Sequence, residues 1–127
     1  MPATHIDSLL GADVERVGSR LGPPLDCRVA AGEVQLAYLG PDGHVVPDGI
    51  VLADGVVVRE RAGLRSIPSL HGYWIGQPIE RVFERFGPLH AVARSEALQE
   101  LTFAAWRVCV HEGRVVLAAP RTLTRAS

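Results

Sequence analysis

Apolar residues recur at spacings of three and four in two places along the chain. Leu10, Val14, Val17 and Leu21 make one stripe, with Glu15, Arg16, Ser19 and Arg20 on the wet side. Ile79, Val82, Phe83 and Phe86 make the other. This period predicts two amphipathic helices, the first over about residues 12–21. Each stripe ends in Gly-Pro, at Gly22-Pro23 and Gly87-Pro88. Glycine suits the left-handed residue that closes a helix, and proline prevents continuation. Asp13 falls in the first turn, where a carboxylate favours the helix dipole. Pro78 takes the same place in the second helix, at the first helical position.

Between and after the helices the period changes to two. Val34, Leu36 and Tyr38 alternate with Gln35 and Ala37, and Ile50–Ala53 and Val56–Val58 flank Asp54-Gly55. That dipeptide is a strong hairpin signal, because both turn residues need positive φ. Further on, Leu101 and Phe103 alternate with Glu100 and Thr102. Trp106, Val108 and Val110 then alternate with Arg107, Cys109 and His111, and the chain turns at Glu112-Gly113 into Arg114–Leu117. The apolar phase slips across Ala104-Ala105, which predicts a bulge or a very tight turn. Short strands at Cys27–Val29 and Ala91–Ala93 are also expected to follow the helices.

The two halves match in sequence. Residues 9–23, LLGADVERVGSRLGP, and 74–88, WIGQPIERVFERFGP, are identical at seven of fifteen positions. The offset is 65 at the helices and 58 at the last hairpin, so the first half carries seven extra residues. They fall in the polar stretch 40–48, read as a loop over 40–49. A repeat of this size marks one supersecondary unit used twice. One such unit is too small to bury its own apolar face. The expected fold is therefore α+β, with two tandem helix-plus-antiparallel-hairpin repeats forming one sheet and both helices packed on one face. Residues 1–127 form a single domain, with repeat one at 8–60, a linker at 61–73, repeat two at 74–119 and a tail at 120–127.

The helix–Gly-Pro–hairpin unit in tandem resembles the β-lactamase-inhibitor-protein-like superfamily. Gly11, Val14, Val17, Leu21, Gly22-Pro23 and Asp54-Gly55 carry the resemblance in the first half. Gly76, Ile79, Val82, Phe86, Gly87-Pro88 and Glu112-Gly113 carry it in the second. The resemblance implies a domain that binds other proteins and is not an enzyme.

Composition narrows the function classes. The apolar content of 47% is ordinary for a globular domain, and the formal net charge is −1. All thirteen basic residues are Arg, a bias that fits a GC-rich bacterial genome. They are scattered, which argues against nucleic acid as a partner. No stretch is long and apolar enough to span a membrane, and the N-terminus lacks the form of a secretory signal. A cytoplasmic location is expected, with Cys27 and Cys109 as free thiols.

Candidate chemistry is sparse. Cys109 and His111 share one strand face, but no third group is placed to orient them as a nucleophile and base. The histidines at 5, 44, 71, 90 and 111 show no zinc-ligand spacing with the cysteines. No catalytic residue, metal ligand or cofactor is expected. Pairing the last hairpin residue by residue puts Val108, Val110, Val115 and Leu117 inward. Arg107, Cys109, His111, Arg114 and Val116 then face outward, as do Val51, Ala53, Val56 and Val58 in the first half. A wholly solvated face would be more polar. Arg107, Cys109, His111, Arg114, Val116, Val56 and Val58 are therefore the expected partner-binding residues. The function they imply is a non-catalytic protein-interaction domain, binding another protein or a second copy of itself. An immunity-type or inhibitor protein that caps an enzyme is one alternative, and a small-molecule-binding or enzymatic α+β domain is another.

Overall fold

A computed structural model describes residues 8–66, 74–95 and 97–120. A helix and four strands come first: α1 (Val14–Leu21), β1 (Asp26–Ala30), β2 (Glu33–Leu39), β3 (Val45–Ala53) and β4 (Val56–Glu60). The same order follows again: α2 (Ile79–Phe86), β5 (Leu89–Ser95), β6 (Leu98–Phe103), β7 (Trp106–His111) and β8 (Arg114–Pro120). His5, His71, residues 67–73 of the linker and residues 121–127 of the tail lie outside the described residues.

The chain is α+β, but its strands pair as two sheets rather than the expected one. Their orders are β1-β2-β3-β4 and β5-β6-β7-β8, all antiparallel. The backbone of the pre-helix segments explains why β4 and β8 add no further strand. Gly11 N–H donates to Val57 C=O, and Val57 N–H donates to Ala12 C=O, at 2.8 and 2.9 Å. In the second half Gly76 N–H donates to Val115 C=O and Val115 N–H to Gln77 C=O, again at 2.8 and 2.9 Å. Each sheet edge is thus occupied where its last strand begins, which blocks pairing there.

The halves meet through their faces. One core cluster includes Val17, Leu36 and Ile50 of the first half with Leu101, Val108 and Leu117 of the second. The approach is closest at α1. A Cβ added at Gly18 would lie 2.6 Å from Ile75 Cβ, and one at Gly76 would lie 2.5 Å from Glu15 Cα. Only glycine permits this spacing.

Local signals mostly act as the residues suggest. Asp13 is the N-cap of α1, one step before the first turn, and its carboxylate accepts from Arg16 N–H at 3.0 Å. Pro78 is likewise the N-cap of α2 rather than its first residue. Gly22 and Gly87 close the helices with positive φ, and Asp54-Gly55 and Glu112-Gly113 turn their hairpins with positive φ at both residues. Leu10 leaves the predicted stripe: it is exposed and Leu9 is buried instead, because the helix starts only at Val14 and residue 10 lies in the preceding turn. The second half of the stretch read as a loop over 40–49 is strand, since β3 starts at Val45. Leu36 pairs with Ile50 and Tyr38 with Val46, so Pro47, Asp48 and Gly49 sit opposite Ala37 alone. Two of the seven extra residues are absorbed in this bulge, a place where a strand tolerates proline, and the rest lengthen the connection from β2 to β3. Pro120, assigned to the tail, ends β8 opposite Trp106.

Gly11 and Gly76 make a matched pair for testing the joint. Both have positive φ, but a Cβ at Gly11 meets nothing within 4 Å. Gly11→Ala should cost only the backbone strain, about 1–2 kcal/mol. Gly76→Ala must also displace the α1 backbone and should lose about 2 kcal/mol more. Equal losses in urea denaturation would show that α1 does not bear on residue 76.

Candidate functional site

Strand β7 is the centre of the second half, and its two faces have different neighbours. Val108 pairs with Leu101, and Phe103 lies two residues further along β6 on the same face. Phe86 of α2 packs there, with ring centroids 5.7 Å from Phe103 and 4.8 Å from Trp106. Arg107, Cys109 and His111 alternate onto the opposite face. The first half covers that face. Both sides of β7 are therefore dry, which explains why Val108, Cys109, Val110 and His111 are all buried. Continuous apolar runs are the mark of a strand covered twice.

His111 ties the halves together. Its Nε2 accepts the Gly55 N–H at 2.9 Å, and its Nδ1 lies 2.8 Å from Ala97 C=O. These partners assign the proton to Nδ1 and leave Nε2 as an acceptor. The hairpin turn of the first half thus docks on the end of β7. Around it is a hollow of about 200 Å³, lined by Asp13, Glu15, Gly55, His111, Glu112 and Arg114. Arg114 donates to Gly76 C=O at 3.0 Å.

Cys27 and Cys109 also meet across the joint, although 82 residues separate them. Both are buried and neither is in a disulfide. The two thiols act on each other, and the Arg107 charge acts on both sulfurs. The neighbouring Cys27 thiol pulls the Cys109 thiol below the ordinary range, against the opposing effect of burial. The Cys109 thiol and burial together push the Cys27 thiol up. Arg107 bridges Glu100 on its own sheet and Asp26, at 3.8 Å, on β1. Among the described residues no group of His, Cys, Asp and Glu could hold a metal ion.

This arrangement corrects the expected outer face. Cys109, His111 and Val116 are 0%, 1% and 0% exposed, so they belong to the joint and are closed to a partner. Alternation within a strand sorts residues onto two faces but does not say what covers either. Val116 also leaves the register: Val110 pairs with Val115 and Cys109 with Leu117, so a bulge falls at Val116. Arg107 is half-buried, and Arg114 is exposed beside the joint. Val56 and Val58 lie on β4 and keep 37% and 39% exposure, away from the cluster they were grouped with. Val51 is buried.

A different apolar surface is open. Leu89 pairs with Phe103 and Val92 with Leu101, so both share the face on which α2 lies. Phe83 of α2 reaches the same place, its ring 6.2 Å from Phe103. Phe83 and Val92 are each 44% exposed, and every residue of β5 is exposed. Repeat alignment could have found this surface. The offset of 65 places Phe83 at Gly18 and Val92 at Cys27, which are the positions where the first half grips the second. A second open hollow, about 620 Å³, lies by Leu10, Arg20, Ile50, Glu60 and Leu64 in the first half. Nothing within it converges as a reactive group: Glu60 is bonded to Ser8 Oγ and to Leu9 N–H.

His111→Leu should destabilise the protein by about 2 kcal/mol or more, because it strands a donor and an acceptor in the joint. His111→Gln can offer both an acceptor and a donor and should recover part of the loss. Amide exchange at Gly55 should accelerate in the Leu variant; an unchanged rate would show that this bond does not hold the turn.

In comparisons with known proteins the chain matches no family model, no curated protein and no solved structure.

Proposed function

We propose that the chain is two copies of one unit and serves as a non-catalytic protein-interaction domain. Its docking surface is the open end made by α2 and β5, and the occupant is a second copy of the chain. The observation that carries this reading is the contrast between equivalent positions. Gly18 and Cys27 are shut against the second half, whereas Phe83 and Val92 at the same places face water. The matched bonds of Gly11–Val57 and Gly76–Val115 support the equivalence of the units. So does the shared order of a helix and four strands, which also fits the β-lactamase-inhibitor-protein-like resemblance.

The far end of the molecule favours a two-fold partner over an endless stack. On the outer face of the first sheet Arg28 donates to Gln35 at 2.9 Å, and Arg59 pairs with Glu33 at 2.6 Å. The offsets place Leu98 and Leu117 of the second half at Glu33 and Arg59. The first half is therefore capped by polar groups where the second is apolar, as terminal units of repeat arrays are. A copy cannot dock its open end on that cap without stripping water from paired charges. Two open ends can cover each other, and such a contact closes with two-fold symmetry.

Sedimentation of the wild type should show a dimer. Phe83→Glu should weaken it by at least about tenfold while leaving the fold intact, since the side chain is half in water. Arg28→Ala at the capped end should leave association unchanged. A wild type that stays monomeric at every concentration, or a dimer indifferent to Phe83→Glu, would overturn the reading.

A further inference from the structure

We infer that His111 makes the joint acid-sensitive: taking up a proton releases the Asp54-Gly55 turn of the first half from β7. The inference is independent of the dimer. Its basis is the pair of bonds that the imidazole makes. A backbone N–H can only donate, so the 2.9 Å contact with Gly55 fixes Nε2 as an acceptor. Nδ1, 2.8 Å from the Ala97 carbonyl oxygen, then carries the ring's one proton. Only the neutral ring can make both bonds. It makes them while 1% exposed, so neither bond can pass to bulk water.

A second proton can go only to Nε2. There it faces the Gly55 N–H, donor against donor, and a hydrogen bond between the halves is lost. Flipping the ring does not restore it, because both nitrogens of an imidazolium donate. The proton also brings a charge to a place with almost no contact with water.

The charged groups around the ring come from both halves. Asp13, Glu15, Glu112 and Arg114 line the hollow beside it, and Asp54 lies in the turn itself. Asp13 is tied to the Arg16 N–H at the start of α1, and Arg114 to the Gly76 carbonyl oxygen. All four carboxylates are on exposed residues, where water and salt screen their pull on an imidazolium, and the Arg114 charge opposes it.

The sign follows from which state takes up the proton. The closed joint needs His111 neutral, whereas an opened or unfolded chain lets it be charged. The bond therefore contributes fully above about pH 6.5, where histidine in an unfolded chain titrates. Below that its contribution falls, by up to about tenfold in the folding equilibrium constant per pH unit.

The test compares the wild type with His111→Gln, whose amide offers an acceptor and a donor at every pH, in urea titrations at about pH 7.5 and about pH 5.5. The other histidines and the carboxylates are common to both proteins, so the difference isolates residue 111. Between the two pH values the wild type should lose about tenfold in folding equilibrium constant relative to the variant. A second measurement needs no substitution. In the wild type, protection of the Gly55 amide against hydrogen exchange, referred to an unstructured chain at the same pH, should fall at least about threefold over the same interval. The Val57 amide, bonded to Ala12 within the first half, should change less. A wild type and variant that respond to acid alike would overturn the inference, and so would a Gly55 amide equally protected at both pH values.

Discussion

The fold depends on how closely α1 can approach the chain entering α2. Gly18 lets Ile75 in, and Gly76 lets the backbone of Glu15 in. A side chain at either place would push the halves apart by more than a core can absorb, since interiors have little free volume. At the spacing these glycines allow, the Asp54-Gly55 turn reaches His111 and Cys27 reaches Cys109. The second sheet is then covered on both faces. Its second cover is supplied by the same chain, so the surface that would otherwise be open becomes core.

Positions that correspond in the two halves of the sequence therefore have different surroundings. In the first half the helix stripe and Cys27 of β1 are buried and the outer sheet is capped by Arg28, Gln35, Glu33 and Arg59. In the second half the outer sheet is buried, and Phe83 of α2 and the strand β5 are open. The substitutions between the halves follow this division. Glycine stands at position 18 where backbones must approach, and phenylalanine at 83 where they do not. Charge stands at 33 and 59 where the sheet meets water, and leucine at 98 and 117 where it meets the first half.

Much of the local structure was legible in the sequence, because it rests on neighbours in the chain. The glycines that end the helices, the Asp-Gly and Glu-Gly turns, and the apolar period of each helix act within a few residues. The tight connection at Ala104-Ala105 was legible for the same reason. The arrangement of the halves was not, because it rests on contacts between distant residues. Alternation in β7 separated Cys109 and His111 from Val108 and Val110 correctly, but it could not reveal that both sets are covered. The bulge at Val116 and the extension of β3 through Pro47 were hidden for a related reason: register is set by the partner strand. The meeting of Cys27 with Cys109 left no trace in spacing. The open end was present in the repeat itself, in the replacement of Gly18 and Cys27 by Phe83 and Val92.

If the joint makes one core of two halves, neither half should melt alone. Trp74 and Trp106 both lie in the second half, so tryptophan fluorescence reports on it, whereas far-ultraviolet circular dichroism reports on all the strands and helices. Followed together in a urea titration, the two signals should trace a single coincident transition. A dichroism change that begins well before the fluorescence change would mean that the first half unfolds by itself, and would contradict a shared core.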